Sequence, residues 1–200
     1  MTAATTTMER HRAWRGPAVL SFGFRPFFLL GALWAALAMA LWVAMLTGKL
    51  ALPTTFDPVT WHAHEFLFGY LGAIIAGFLL TAVPNWTGRL PVTGWPLAGL
   101  TAAWLAGRLA VTFSQGLPRL AVAVIDLALV AALAVLLGRE IVVGRNWRNL
   151  PVVGLLVLFG CANALFHWEA ARGGYAAQGM GLRLGLGAVL MMIAVIGGRI

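Results

Sequence analysis

Imidazole and carboxylate groups gather at the start of one long apolar run. Residues 61–65 are Trp-His-Ala-His-Glu, and residues 66–83 contain no charged side chain. Ionisable side chains inside a membrane span are costly, and by default they mark a functional site. Neutral imidazole binds haem iron and copper, and facing helices commonly supply the histidines that hold a buried haem. His62, His64 and the distant His167 are therefore candidate metal ligands.

The spacing of His62 and His64 limits what they can bind together. At about 100° per residue, the two side chains point roughly 200° apart on a regular helix, so they should not chelate one metal. Either each serves a different metal centre, or one is a ligand and the other a hydrogen-bonded structural group. Glu65 lies one turn after His62, where it could orient that imidazole. An alternative is that these residues are polar anchors at the membrane surface.

Composition places the chain among integral membrane proteins. Hydrophobic residues make up 61% and charged residues only 10%, against roughly a quarter charged in soluble domains. The net charge of +8 comes from scattered basic residues rather than a clustered face, which excludes a nucleic-acid partner. The single cysteine, Cys161, cannot form an intramolecular disulfide. The lipid bilayer is therefore the expected surrounding of the chain.

Six apolar runs are each close to the ~20 residues that a membrane-spanning helix needs. They cover residues 26–46, 61–83, 95–113, 120–137, 151–168 and 182–198. Asp57 before Pro58 is typical of a helix start, and Pro84 follows the end of the second run. Because a span must satisfy its own backbone hydrogen bonds in lipid, we predict an all-α polytopic bundle of about six transmembrane helices.

Basic residues predict the orientation of this bundle. An inner N-terminus puts nine Lys and Arg residues on the cytoplasmic side and five outside, as membrane proteins prefer. We thus expect residues 1–25 to form a basic cytoplasmic or interfacial segment and residues 26–200 to form the transmembrane domain. His62, His64 and His167 then reach one level near the outer surface.

Two further basic residues have alternative partners. Arg108 and Asp126 fall at similar depth in neighbouring spans, so we predict an intramembrane ion pair. Arg108 and Arg183 could instead face the anionic edge of a buried cofactor, such as haem propionates. We favour the ion pair for Arg108 and leave Arg183 open.

Several motifs together resemble the NnrS family of multi-span bacterial inner-membrane proteins. They are FRPFF at 24–28, WHAHE at 61–65, LTAVPNWTG at 80–88, LFH at 165–167 and GGRI at 197–200. The family is described as containing haem and copper, and it is linked to nitric oxide metabolism and nitrosative stress during denitrification. The resemblance implies haem and copper as cofactors, with candidate metal ligation by His62, His64 and His167.

The resemblance also suggests missing partner helices. NnrS-like chains have roughly double the number of spans, so we expect these helices to pack against a C-terminal half. Two functions remain open: a haem- and copper-binding protein of the nitric oxide response, and half of a transporter in which His, Glu and Asp form a proton or ion pathway. A haem absorption band would support the first, whereas a colourless, metal-free protein would favour the second.

Overall fold

The computed structural model describes residues 14–89 and 91–198. Residues 1–13 of the predicted N-terminal segment and the last two residues of the GGRI motif lie outside this range. The described residues are helical apart from short connections, which confirms the predicted all-α bundle. Their six long helices are α1 (Phe24–Leu46), α2 (Pro58–Thr87), α3 (Trp95–Thr112), α4 (Arg119–Val143), α5 (Leu150–Ala171) and α6 (Met180–Gly197).

Five of these helices are long and apolar enough to cross a membrane, and α3 is the exception among the described residues. Helix α3 forms as predicted, but Arg108 lowers its hydropathy. It nevertheless packs closely against α4, and its charge is neutralised inside the bundle as described below. The chain is therefore a multi-pass membrane protein with five spans by hydropathy and a sixth, less apolar helix beside them.

Helix α2 is the centre of the bundle. In the most apolar 18-residue stretch of α2, 56% of the residues are buried, against 11% in the corresponding stretch of α1. Helices α1 and α4 both pack on α2, while α3 pairs with α4 and α6 pairs with α5. We call the end of the bundle where α1 begins the inner end and the opposite end the outer end, following the predicted orientation. Helix α2 starts at the outer end. Residues 61–65 lie in its first two turns and are therefore near that end.

The two ends of α2 differ in how well the sequence predicted them. Asp57 caps the outer end as expected, because its Oδ1 accepts hydrogen bonds from the backbone N–H groups of Val59 (3.0 Å) and Thr60 (3.1 Å). The expected end before Pro84 is wrong, since the helix continues through Pro84 to Thr87. It stops at Gly88, whose φ of 68° is a left-handed conformation that glycine adopts without strain.

Gly181 lies where the backbones of α5 and α6 approach closely. A Cβ added at Gly181 would lie 2.8 Å from the carbonyl oxygen of Ala162, whereas one added at Gly187 of the same helix would meet nothing within 4 Å. We expect Gly181→Ala to destabilise the bundle by about 1–3 kcal/mol, the usual cost of overpacking. Thermal unfolding in detergent should show a lower midpoint for Gly181→Ala than for Gly187→Ala. Equal midpoints would contradict this account of the helix contact.

Candidate functional site

A cluster of buried polar side chains joins four helices near the outer end of the bundle. No member is more than 8% exposed. Buried polar and charged groups are stable only when they are paired with one another. We call these six residues the polar cluster: His64 and Glu65 of α2, Arg108 of α3, Asp126 of α4, and Asn163 and His167 of α5.

The carboxylate of Asp126 lies at the centre of the polar cluster. Its Oδ2 is 2.9 Å from Nε2 of His167 and 3.1 Å from Nε2 of His64. The same oxygen accepts a 2.7 Å hydrogen bond from the amide nitrogen of Asn163. Its Oδ1 accepts from Arg108, which confirms the predicted intramembrane ion pair. Both imidazoles therefore converge on one carboxylate oxygen.

A second carboxylate, that of Glu65, holds His64 and Arg108 from the other side. Glu65 Oε1 is 3.0 Å from Nδ1 of His64, and Arg108 Nη1 donates to both Glu65 oxygens at 2.8 Å. Trp34 of α1 donates to Glu65 Oε2 at 2.7 Å. Both ring nitrogens of His64 thus face carboxylates, and both can donate only when the imidazole carries two protons. Arg108 and such a His64 balance the charges of the two acids.

The backbone of α2 widens where it enters the polar cluster. Residues Glu65–Tyr70 form a π-helical segment, a rare irregularity that is frequent at functional sites. The carbonyl oxygen of Gly69 accepts a 3.0 Å hydrogen bond from the indole of Trp104. A Cβ at Gly69 would collide with the Arg108 guanidinium. The widened segment and its glycine therefore make room for Arg108 to reach Glu65.

His62 lies apart from the polar cluster, as the helix geometry predicted. Its ring stacks on Trp42 of α1, with centroids 3.7 Å apart and planes 11° apart, and also contacts Phe66. The side chain is partly exposed, and its Nδ1 is buried without a hydrogen-bond partner among the described residues. The expectation that Glu65 orients His62 is wrong. Glu65 instead bonds His64, because the buried Arg108 draws the carboxylate inward.

One residue that the sequence singled out, Arg183, lies outside the polar cluster, and two residues that build the site, Asn163 and Trp34, were not predicted. Arg183 is exposed near the start of α6 and makes none of the contacts of the polar cluster. Asn163 was missed, although it precedes His167 by four residues and so shares its helix face. Trp34 was also missed, because no sequence pattern links α1 to a carboxylate on α2. The amide of Asn163 inside an apolar run was the one signal that sequence reasoning could have used.

The donor atoms of the polar cluster suit a small transition-metal ion. One ligand atom each from His64, Asp126 and His167 lies within 4.8 Å of the other two. Donors that bond one ion at about 2.0–2.2 Å lie no more than about 4.4 Å apart, and the distances of 3.1 and 2.9 Å from Asp126 Oδ2 to Nε2 of His64 and His167 satisfy this limit. Two imidazoles and one carboxylate form a set that binds first-row transition metals. The residues therefore fit a metal ion.

The same residues do not fit haem. The rings of Phe56, Phe68 and Phe166 surround His64, with centroids 5.3–5.9 Å from its own. The cavity beside His167 has a volume of about 50 Å³, far below the ~300 Å³ or more of pockets that hold organic ligands. It has space for molecules of the size of water. Haem iron is thus excluded from His64 and His167 in this arrangement.

The fold and this cluster define a polytopic helical membrane protein with a buried histidine–carboxylate site. The chain belongs to the NnrS family, whose model, described as NnrS protein, matches residues 18–200. It is thereby a membrane protein of a family related to nitric oxide. Neither the curated proteins nor the solved structures include a significant match to the chain.

Proposed function

We propose that this protein is a copper-binding inner-membrane protein of nitric oxide metabolism or the nitrosative stress response. His64, Asp126 and His167 are the proposed copper ligands, and His64 would release its Nε2 proton when copper binds. The observation that carries the proposal is the convergence of both Nε2 atoms on Asp126 Oδ2 at 2.9 and 3.1 Å. Membership of the NnrS family supports the link to nitric oxide. Glu65 and Asn163 keep the imidazole of His64 in place.

The choice of copper rests on general affinity. Nitrogen and oxygen donor sets bind Cu²⁺ more tightly than the other divalent first-row metals, including Zn²⁺ and Fe²⁺. Bound copper would supply a redox-active centre for a small ligand. Thr55, Phe56 and Ser114 line the cavity of about 50 Å³ that adjoins His167. A cavity of this volume has room for a diatomic molecule.

The family also contains haem, and we assign that group to His62. Of the three candidate histidines, His62 alone is partly exposed, and its ring lies outside the polar cluster. The stacked Trp42 fixes the plane of its ring. His62 and the polar cluster would then form separate metal centres on two sides of α2. Helices that pack beside α1 and α2 would have to complete the haem pocket.

A proton or ion pathway is the second candidate function. An unbroken hydrogen-bond chain runs from Glu65 through His64 and Asp126 to His167. Such chains of acids and histidines relay protons in pumps and transporters. The chain reaches the outer cavity at His167, whereas large buried side chains, among them Phe68 and Trp104, surround it toward the inner end. This one-sided access favours the metal site over transport.

Metal analysis of the purified protein tests the proposal. We expect one copper per chain by mass spectrometry. When the protein is purified together with the helices that complete the haem pocket, we also expect a haem absorption band that His62→Ala removes and His64→Ala retains. The two substitutions are matched, since each removes one imidazole from the same turn of α2. A colourless, metal-free protein that moves protons across proteoliposome membranes would overturn the proposal and establish the pathway instead.

A further inference from the structure

The cavity beside His167 lies at the outer end of the bundle, between the loop before α2 and the facing ends of α4 and α5. Four of its lining residues are polar, namely Thr55, Ser114, Arg119 and His167, and none of the described lining residues is acidic. Its volume is about 50 Å³, and one water molecule occupies about 10–15 Å³ by the same measure. The cavity therefore has room for an inorganic ligand of about three atoms.

Hydrogen bonds between elements hold the walls of this cavity in place. Ser114 Oγ accepts from the backbone N–H of Thr55 at 2.9 Å, which joins the α3–α4 connection to the loop before α2. Arg119 Nη1 donates to the carbonyl oxygen of Ala171 at 2.6 Å, which joins the start of α4 to the end of α5. The cavity is thus preformed, as ligand sites usually are.

The imidazole of His167 has one nitrogen without a partner among the described residues. Its Nε2 faces Asp126 Oδ2 at 2.9 Å, whereas Nδ1 makes no hydrogen bond with these residues. The side chain is only 7% exposed, and it lines the cavity. When Nε2 binds a metal, the one proton of the neutral ring is on Nδ1, and metal-bound histidines almost always donate this proton to an acceptor. The cavity has room for such an acceptor.

Arg119 supplies a positive charge at the same cavity. Its hydrogen bond to Ala171 uses one of five N–H groups and reaches a neutral acceptor. No acidic side chain among the described residues forms an ion pair with Arg119. The neighbouring acid Glu169 faces the start of α6 instead, where its oxygens accept from the backbone N–H groups of Met180 (2.8 Å) and Gly181 (3.2 Å). The guanidinium is therefore available to an anion in the cavity.

Copper binding would also leave the buried site with an extra positive charge. Without metal, Arg108 and a doubly protonated His64 balance the carboxylates of Glu65 and Asp126. A Cu²⁺ ion that replaces the Nε2 proton of His64 adds two positive charges and removes one. A buried charge without compensation is costly. A monovalent anion in the adjoining cavity would restore the balance.

We propose that this cavity binds one small monovalent anion, a class that includes nitrite, when the metal site is filled. The anion accepts hydrogen bonds from Nδ1 of His167 and from the guanidinium of Arg119, and it does not bind the metal. The inference rests on the proposed copper site, because metal at Nε2 is what places the proton on Nδ1. In this position the anion balances the charge and fixes the ring of His167.

Infrared spectroscopy of the copper-loaded full chain, titrated with azide or with its neutral isoelectronic analogue nitrous oxide, tests the site. We expect one azide per chain, bound at least about tenfold more tightly than nitrous oxide, which cannot form charge-assisted hydrogen bonds. Arg119→Gln should weaken azide binding about tenfold for the same reason. Arg172→Gln is the matched control: its guanidinium lies over Trp168 and does not line the cavity, so azide affinity should change by less than about twofold.

A second pair of variants tests the volume of the cavity independently of charge. Ala170 lines the cavity, whereas Ala164 is exposed elsewhere on α5. Ala170→Leu should fill the cavity and abolish azide binding, and Ala164→Leu should retain it.

Copper content, measured in every sample, separates this inference from the proposed function. A protein that binds no copper would refute both. A copper-loaded protein that binds azide and nitrous oxide equally, or shows equal effects within either pair of variants, would overturn only the anion site. An azide-to-copper charge-transfer band would also overturn it, because the anion would then be a metal ligand.

Discussion

Asp126→Ala should lower the unfolding midpoint of the purified protein more than any other single change in the polar cluster. The substitution removes the acceptor shared by His64, His167 and Asn163 and leaves Arg108 with Glu65 alone. Breaking a buried ion pair by removing one partner costs about 3–5 kcal/mol, because the other charge stays buried without compensation. Scanning fluorimetry or circular dichroism in detergent measures the shift.

Val124→Ala is the matched control for this prediction. Val124 lies on the same helix, but its side chain is 60% exposed on the outside of the bundle. Truncating it removes little buried surface, so the midpoint should stay close to that of the wild type. If Asp126→Ala unfolded at the same temperature as Val124→Ala, the polar cluster would not stabilise the fold.

Substitution of either histidine among the three proposed copper ligands should abolish copper binding while leaving the protein in the membrane. His64→Ala and His167→Ala each remove one of three donors, so we expect affinity losses larger than the ~10–100-fold typical of residues that only support a ligand. Membrane insertion should survive, because each span satisfies its own backbone hydrogen bonds. Competition with a chromophoric copper chelator measures the affinities.

Residues that support the ligands provide graded controls for this series. Glu65→Gln and Asn163→Ala should weaken copper binding by only about 10–100-fold, since both side chains position His64 rather than bind metal. His62→Ala should leave copper affinity unchanged, because its ring stacks on Trp42 outside the polar cluster. Wild-type copper content in both the His64 and His167 variants would remove the proposed site.

The parts of the fold that follow from local chemistry could be predicted from the sequence. Apolar runs locate the helices, and Asp57 with Pro58 locates the start of α2. The end of α2 was misplaced because proline was treated as a helix breaker. Within a bundle, packing against α1 and α4 holds the helix together across the missing hydrogen bond of Pro84. Arg108 makes α3 less apolar than the other helices, and the presence of this charge is explained only by the buried carboxylates that pair with it.

The site could be predicted only where it depended on one helix or one pair of charges. The divergence of His62 and His64 follows from helix geometry, and the pairing of Arg108 with Asp126 follows from their depth. The partner of Glu65 could not be inferred, because it depends on a π-helical segment and on Trp34 from another helix. The convergence on Asp126 required the packing of α2, α4 and α5, which no local pattern encodes.

The π-helical segment Glu65–Tyr70 also determines which way the inner half of α2 faces relative to its outer half. A π-helical turn contains one more residue than an α-helical turn, so it offsets the outer turns of α2 from the inner ones by about 100°. Deleting a single residue here would restore regular helix and rotate Leu71–Thr87 relative to His64. The core face of the inner half would then turn away from α4. The outer and inner halves of α2 can thus keep their separate contacts only while this one extra residue is present.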